Sequence, residues 1–137
     1  MSTTANKKDR FYLKRRLLTL LLLIYLVWYV TVPRVKIYFS EEGNGKMEFI
    51  LNTQHDIFRG DISPGESTGG AGHLFPDDDF FMRLDWTASN KSHCVMISPS
   101  WPTTSIYIAA DGVLDKSPSS GTDSDRLKQC ITDTASP

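Results

Sequence analysis

Residues 17–33, LLTLLLLIYLVWYVTVP, form an uncharged apolar run near the start of the chain. As a helix, residues 17–32 would span only about 24 Å, whereas the hydrocarbon core of a membrane is ~30 Å thick. Extending the helix back to Phe11 gives about 33 Å, with Lys14, Arg15 and Arg16 snorkelling towards the headgroups. The run therefore predicts a single transmembrane helix over residues 11–33, with Pro33 helping to end it.

The charges on either side of this run predict its orientation. Residues 1–16 contain six Lys and Arg against one Asp, a net charge of +5. The positive-inside rule then places a disordered tail, residues 1–10, in the cytoplasm and residues 34–137 outside it. We predict a single-pass protein of a bacterial inner membrane with a periplasmic C-terminal domain, in contact with membrane lipid through residues 11–33.

A cleaved signal peptide is the alternative interpretation of the same run. A basic stretch followed by an apolar one fits a signal peptide, but no small-residue cleavage site follows, only Tyr29, Val30, Thr31, Val32 and Pro33. No cysteine lies near the end of the run to carry a lipid anchor. An uncleaved signal anchor is the better prediction.

The remaining 104 residues have the length of one small domain. Residues 34–137 contain nine Lys and Arg against fifteen Asp and Glu, so their net charge is −6. Nucleic-acid binding needs a basic face, and this composition argues against it. An acidic domain permits a basic protein partner, although it is also typical of a soluble surface.

Alternating apolar residues predict an all-β domain over residues 34–114. Six strands are expected, over residues 35–40, 47–54, 56–62, 80–87, 93–98 and 104–110. Asn44-Gly45 predicts a β-hairpin that joins the first two strands. An antiparallel β-sandwich follows, with an immunoglobulin-like arrangement as first choice and a small barrel as second. The polar composition of residues 115–137 predicts a linker and a C-terminal segment.

Residues 63–79, SPGESTGGAGHLFPDDD, are expected to form a long glycine-rich loop. The sequence from Gly65 to Gly69 matches the G-x-S-x-G nucleophile elbow, with Ser67 as the nucleophile. That motif needs a strand before it, a helix after it and a large parallel sheet, which a domain of this size cannot supply. No catalytic residue is therefore predicted.

Oxygen ligands for a hard cation are present in the same loop, at Asp77, Asp78 and Asp79, with His73 nearby. Three adjacent carboxylates do not point at one centre, and the spacing of an EF-hand is absent. The three histidines are also scattered along the chain. We therefore predict neither a metal nor another cofactor.

Two further features concern the outer surface of the domain. Cys94 and Cys130 are the only cysteines, and both lie in the exported part, so a disulfide that ties back the C-terminal segment is expected. Trp101 lies between two prolines, where it is either a core residue or an anchor for a protein partner.

These features favour a non-catalytic membrane protein that presents a small acidic β-domain for protein–protein contacts. An accessory subunit of an envelope complex and an immunity-type protein both fit this description. The alternative is a ligand- or ion-binding sensor that uses the loop 63–79. A membrane-tethered hydrolase that uses Ser67 fits least well.

Overall fold

The computed structural model describes residues 4–54, 56–73, 78–98 and 102–130, with side chains along the N-terminal helix from residue 8 onward. Within these residues, one long helix, α1, precedes eight β-strands and a short 3₁₀ helix. The helix covers Thr4–Thr31 and the 3₁₀ helix covers Ser124–Arg126. The strands are β1 Arg34–Phe39, β2 Met47–Asn52, β3 Ile57–Ile62, β4 Ser67–Ala71, β5 Met82–Ala88, β6 Lys91–Ile97, β7 Thr103–Ile108 and β8 Leu127–Gln129.

The helix α1 contains the apolar run, and its side chains from residue 8 to residue 30 are all exposed. Among the described residues, no helix is both long enough and apolar enough to cross a membrane. The transmembrane helix predicted over residues 11–33 is thus unsupported by the structure. The reason is that Lys14, Arg15 and Arg16 border the run on one side and α1 ends at Thr31 on the other.

The eight strands form two sheets. The smaller sheet has the order β4-β1-β7, and the larger has the order β3-β2-β5-β6-β8. All pairs in the larger sheet are antiparallel, as expected. In the smaller sheet β1 pairs antiparallel with β4 but parallel with β7. The prediction of a mainly β domain with two sheets is confirmed, while this strand order departs from that of an immunoglobulin domain.

The predicted hairpin between the first two strands is wrong. Strand β1 lies in the smaller sheet and β2 in the larger, so the chain crosses between the sheets in residues 40–46. Gly45 still adopts the positive φ, 83°, that makes Asn-Gly a turn former. Asn44 does not share this conformation, and the hydrogen-bonded turn lies earlier, where the Gly43 amide donates to the Ser40 carbonyl (3.1 Å). Neither the predicted two-residue turn nor the predicted pairing is therefore present.

The two sheets enclose one apolar core. The smaller sheet contributes Val35, Ile37, Phe39, Ile106 and Ile108, and the larger contributes Met47, Phe49, Leu51, Ile62, Met82, Leu84, Trp86, Ala88, Val95 and Ile97. Strand β5 shows the period of two most clearly, with Met82, Leu84, Trp86 and Ala88 all buried. The strand predicted over residues 80–87 is therefore confirmed for Met82, Leu84 and Trp86, while Phe80 lies before β5 and is only partly buried.

The polar segment 115–123, predicted as a linker, lies along the outer edge of β7. Asp123 accepts a hydrogen bond from the amide of Ser105 (2.7 Å) and donates its own amide to the carbonyl of Ser105 (3.0 Å). Thr122 Oγ1 accepts from the amide of Tyr107 (3.1 Å), and the Tyr107 carbonyl accepts from the amide of Asp115 (2.9 Å). The segment thus satisfies backbone groups that an edge strand leaves open.

Candidate functional site

An acidic cleft lies at one end of the smaller sheet. Its volume is about 700 Å³, and it is open to solvent. The ends of β1 and β7, the turn at Gly65 and Glu66, and the residues that follow β7 form its walls. Five carboxylates line it: Glu41, Glu42, Glu66, Asp111 and Asp115. A cleft with this lining attracts positively charged groups.

Two stacked tyrosines form the aromatic wall of the cleft. Tyr38 of β1 lies directly opposite Tyr107 of β7 in the parallel register, with ring centroids 4.4 Å apart and planes 6° apart. Lys36 Nζ lies 5.0 Å from the centroid of the Tyr38 ring, within range of a cation–π contact. Partial burial is the main cause that raises the pKa of Tyr107, and the proximity of Tyr38 raises it further. Tyr107 therefore stays neutral well above neutral pH.

The carboxylates at the rim are held by local backbone amides. Glu66 Oε2 accepts from the Ser63 amide (2.9 Å) and Asp111 Oδ1 from the Val113 amide (3.0 Å). Asp115 Oδ1 accepts from the Ser117 amide (2.9 Å), and hydrogen bonds from Ser117 lower the pKa of Asp115. These hydrogen bonds fix the positions of three of the five carboxylates.

Among the described residues, no ion pair involves these carboxylates, and one basic side chain, that of Lys36, lies against the tyrosine wall. In the part of the chain that the structure describes, ion pairs join Arg83 to Asp85 and Arg126 to Asp125, and neither pair involves a carboxylate of the cleft. The cleft therefore keeps a negative charge that a basic partner would meet. Its tyrosine wall adds flat aromatic surface for the stem of a Lys or Arg side chain.

A second groove, of about 650 Å³, lies beside β6 and the disulfide. Its buried wall is Trp86, whose indole Nε1 donates a hydrogen bond to the Gly112 carbonyl (2.8 Å). The Trp86 ring stacks on His93, with centroids 5.2 Å apart. Nε2 of His93 is buried and has no hydrogen-bond partner within the described residues. Arg83 and Asp85, at the mouth of the groove, already pair with each other (2.8 Å), and this bond raises the pKa of Arg83.

Cys94 and Cys130 form a disulfide, as predicted, with their Cα atoms 5.7 Å apart. Cys94 lies opposite Asp85 and therefore on the face of β6 away from the buried Val95 and Ile97. The bond holds the chain directly after β8 against the sheet. It thus ties back the C-terminal segment at the edge of the larger sheet.

The structure separates the other residues that the sequence singled out. Ser67 is the first residue of β4 and lies opposite Tyr38; no helix follows β4 in the next described residues, so the nucleophile elbow is absent. His73, Asp78 and Asp79 are exposed. No group of three metal-ligating side chains occurs among the described residues. Asp77 and Trp101 lie outside the described residues.

The acidic cleft could not be predicted from the sequence because its walls come from distant parts of the chain. Tyr38 and Tyr107 face each other only because the first strand of the domain pairs with the seventh. The available signal was that both tyrosines occupy outward positions of alternating strands. Alternation identifies such positions but does not indicate which strands are neighbours.

Comparison with known proteins finds no relative of this chain. No family model matches the chain, and neither a curated protein nor a solved structure is significantly similar to it.

Proposed function

We propose that this chain is a non-catalytic membrane-anchored protein that presents its acidic β-domain to a protein partner outside the cytoplasm. The observation that carries the proposal is the exposed apolar surface of α1. Every side chain from Leu17 to Val30 is exposed, with Leu18 at 70% and Tyr29, the least exposed large apolar residue, at 38%. A helix that is apolar on all sides is stable only where something surrounds it, and lipid is one such environment.

The residues that flank this surface support an arrangement across a membrane. Phe11, Tyr12 and Leu13 continue the exposed apolar surface beyond the basic residues 14–16. These three residues lengthen the apolar part of the helix if Lys14, Arg15 and Arg16 extend their charged ends towards the headgroups. The excess of basic residues at this end favours a cytoplasmic N-terminus and a C-terminal domain on the other side.

The partner contact is assigned to the acidic cleft. The cleft combines five carboxylates, none of them in an ion pair among the described residues, with the stacked rings of Tyr38 and Tyr107. Aromatic residues are enriched in protein interfaces, and electrostatic complementarity guides the encounter of partners. A partner that offers Lys or Arg fits this surface, as an envelope complex or the target of an immunity-type protein would.

Fractionation and topology fusions test the anchor. The protein should stay with membranes through high-salt and alkaline washes. A phosphatase fused after Pro137 should be active in intact cells, and a fluorescent protein that folds only in the cytoplasm should stay dark there. Leu22→Arg should release the protein, since a charged residue at the centre of a span costs about 3 kcal/mol, whereas Leu22→Ala is the matched control. Extraction of the parent protein by salt alone would refute the anchor.

A ligand- or ion-binding sensor is the second candidate, because Gly65 and Glu66 of the predicted loop 63–79 line the acidic cleft. Calorimetric titration with Ca²⁺ and with a small organic ammonium ion tests it. Binding that Glu66→Gln abolishes would favour the sensor. Absence of heat with both probes would leave the protein contact as the function of the cleft.

A further inference from the structure

Strand β3 forms an edge of the larger sheet with which no other described strand pairs. It pairs with β2 on one side, and its residues from Ile57 to Asp61 are all exposed. Ile57 is 57% exposed and Phe58 is 38% exposed. At the other end of the sheet the disulfide holds the chain after β8, and segment 115–123 covers β7 in the smaller sheet. An exposed edge with apolar side chains is a template for another strand.

The charges on β3 are unbalanced in the isolated chain. Asp61 lies directly opposite Glu48 of β2, so two negative charges are cross-strand neighbours. Arg59 lies opposite Ile50, which gives it no charge partner across the pair. Neither Arg59 nor Asp61 forms an ion pair within the described residues. Like charges directly opposite each other destabilise a strand pair.

We propose that β3 pairs antiparallel with β3 of a second copy of this chain about a two-fold axis at Gly60. In that register Arg59 of each copy lies opposite Asp61 of the other, which creates two opposite-charge pairs. Such neighbours have Cβ atoms about 5 Å apart, close enough for an ion pair. The same surface meets itself across the axis, as a two-fold interface requires.

The apolar residues of β3 fit the same register. Phe58 lies opposite Ile62 of the second copy, and the incoming strand covers part of the 38% of the Phe58 surface that is exposed in the single chain. Gly60 lies on the axis and has no side chain to obstruct the approach; a Cβ there would be 3.2 Å from the Phe49 ring. The incoming Arg59 also approaches the Asp61–Glu48 pair and relieves its repulsion. The pairing joins the two larger sheets into one continuous sheet.

A charge-swap series on the full chain in detergent micelles tests the proposal, with sedimentation equilibrium as the measurement. Arg59→Asp and Asp61→Arg should each raise the dimer Kd about tenfold or more, because both symmetric pairs then carry like charges. The double variant exchanges the two charges and should restore the parent Kd. Added salt should weaken the parent dimer, since exposed charges are screened.

Two further variants separate this interface from other causes. Lys91→Glu makes the same size of charge change at the exposed start of β6 and should leave the Kd unchanged. Asp61→Asn removes one charge without changing shape and should weaken the dimer in a chain whose circular dichroism matches the parent. Asp61→Asn therefore still tests the interface if a charge reversal impairs folding.

Four results would overturn the proposal. The first is a parent chain that is monomeric at its highest soluble concentration, and the second is single variants that dimerise like the parent. The third is a folded double variant that stays monomeric. The fourth is a Lys91→Glu variant whose dimer Kd rises as much as that of the charge reversals. The first would show that Arg59 and Asp61 only protect the edge. The second would place self-association elsewhere, such as on α1, and leaves the proposed membrane anchor unaffected.

Discussion

Trp86 is the residue whose removal should cost the β-domain most. It is 4% exposed, and it lies between Phe49 of β2 and His93 of β6 in the larger sheet. Its indole nitrogen also holds the Gly112 carbonyl of the turn that follows β7. Replacing Trp86 by alanine removes its packing in the core, its stacking on His93 and its hydrogen bond to that turn.

The size of the effect follows from these contacts. Replacing a large buried aromatic by alanine costs about 3–5 kcal/mol. Losing the donor to the Gly112 carbonyl adds about 1 kcal/mol, because water reaches the opened site and partly replaces it. A domain of this length has a free energy of unfolding of about 5–15 kcal/mol. Trp86→Ala should therefore remove about a quarter or more of the free energy of unfolding. Trp86→Phe should remove about 1–2 kcal/mol of it.

Urea and thermal unfolding of the full chain in detergent micelles, followed by circular dichroism, measure this effect. Each kcal/mol corresponds to about 4–8 °C in the Tm of a small domain, so Trp86→Ala should lower the Tm by more than about 10 °C. Trp28→Ala is the matched control, because Trp28 is 48% exposed on α1. A loss below about 1 kcal/mol in Trp86→Ala would refute both the strand register and the core assignment.

Two other predictions follow from the disulfide and from the tyrosine wall. The native protein should show no alkylatable thiol by mass spectrometry before reduction, and the Cys94→Ser, Cys130→Ser double variant should lose up to about 4 kcal/mol, the chain-entropy value for a loop of this length. Two reactive thiols in unreduced protein would contradict the bond. Since the pKa of Tyr107 is raised, the folded state favours its neutral form. The contribution of Tyr107 is thus complete below its unfolded pKa of about 10 and is lost as the pH rises through its folded pKa. Urea unfolding should show a steeper fall in stability above pH ~10 for the parent than for Tyr107→Phe, and identical slopes would refute the shift.

Local patterns in the sequence predicted the parts of the fold that depend on local rules. Alternation identified the buried faces of β1 and β5, and the predicted export of the two cysteines led to the prediction of their bond. Strand β4 was missed because its sequence, STGGA, has no alternating apolar residues. Its glycines are required by the pairing instead: a Cβ at Gly69 would overlap the carbonyl oxygen of Val35.

Pairing between distant strands accounts for the remaining differences. The Asn44-Gly45 sequence favours a hairpin locally, but β1 gains two strand neighbours in the smaller sheet, β4 and β7. The segment 115–123 resembles a linker by composition because it attaches through Ser, Thr and Asp groups and not through apolar side chains. Composition detects burial of apolar surface, and it does not detect hydrogen bonds along a strand edge.

The short connection between α1 and β1 determines how a pulling force would reach the domain. The helix ends at Thr31 and β1 begins at Arg34, so tension on the helix runs straight into the central strand of the smaller sheet. That strand is bonded on both sides, to β7 over six residue pairs and to β4 over five. The load is therefore shared by two ladders in shear, whereas an edge strand would peel away one bond at a time. Forced unfolding is governed by the unfolding rate, and breaking two ladders at once should be slow. The domain should therefore resist a force applied through α1, whatever the helix is attached to.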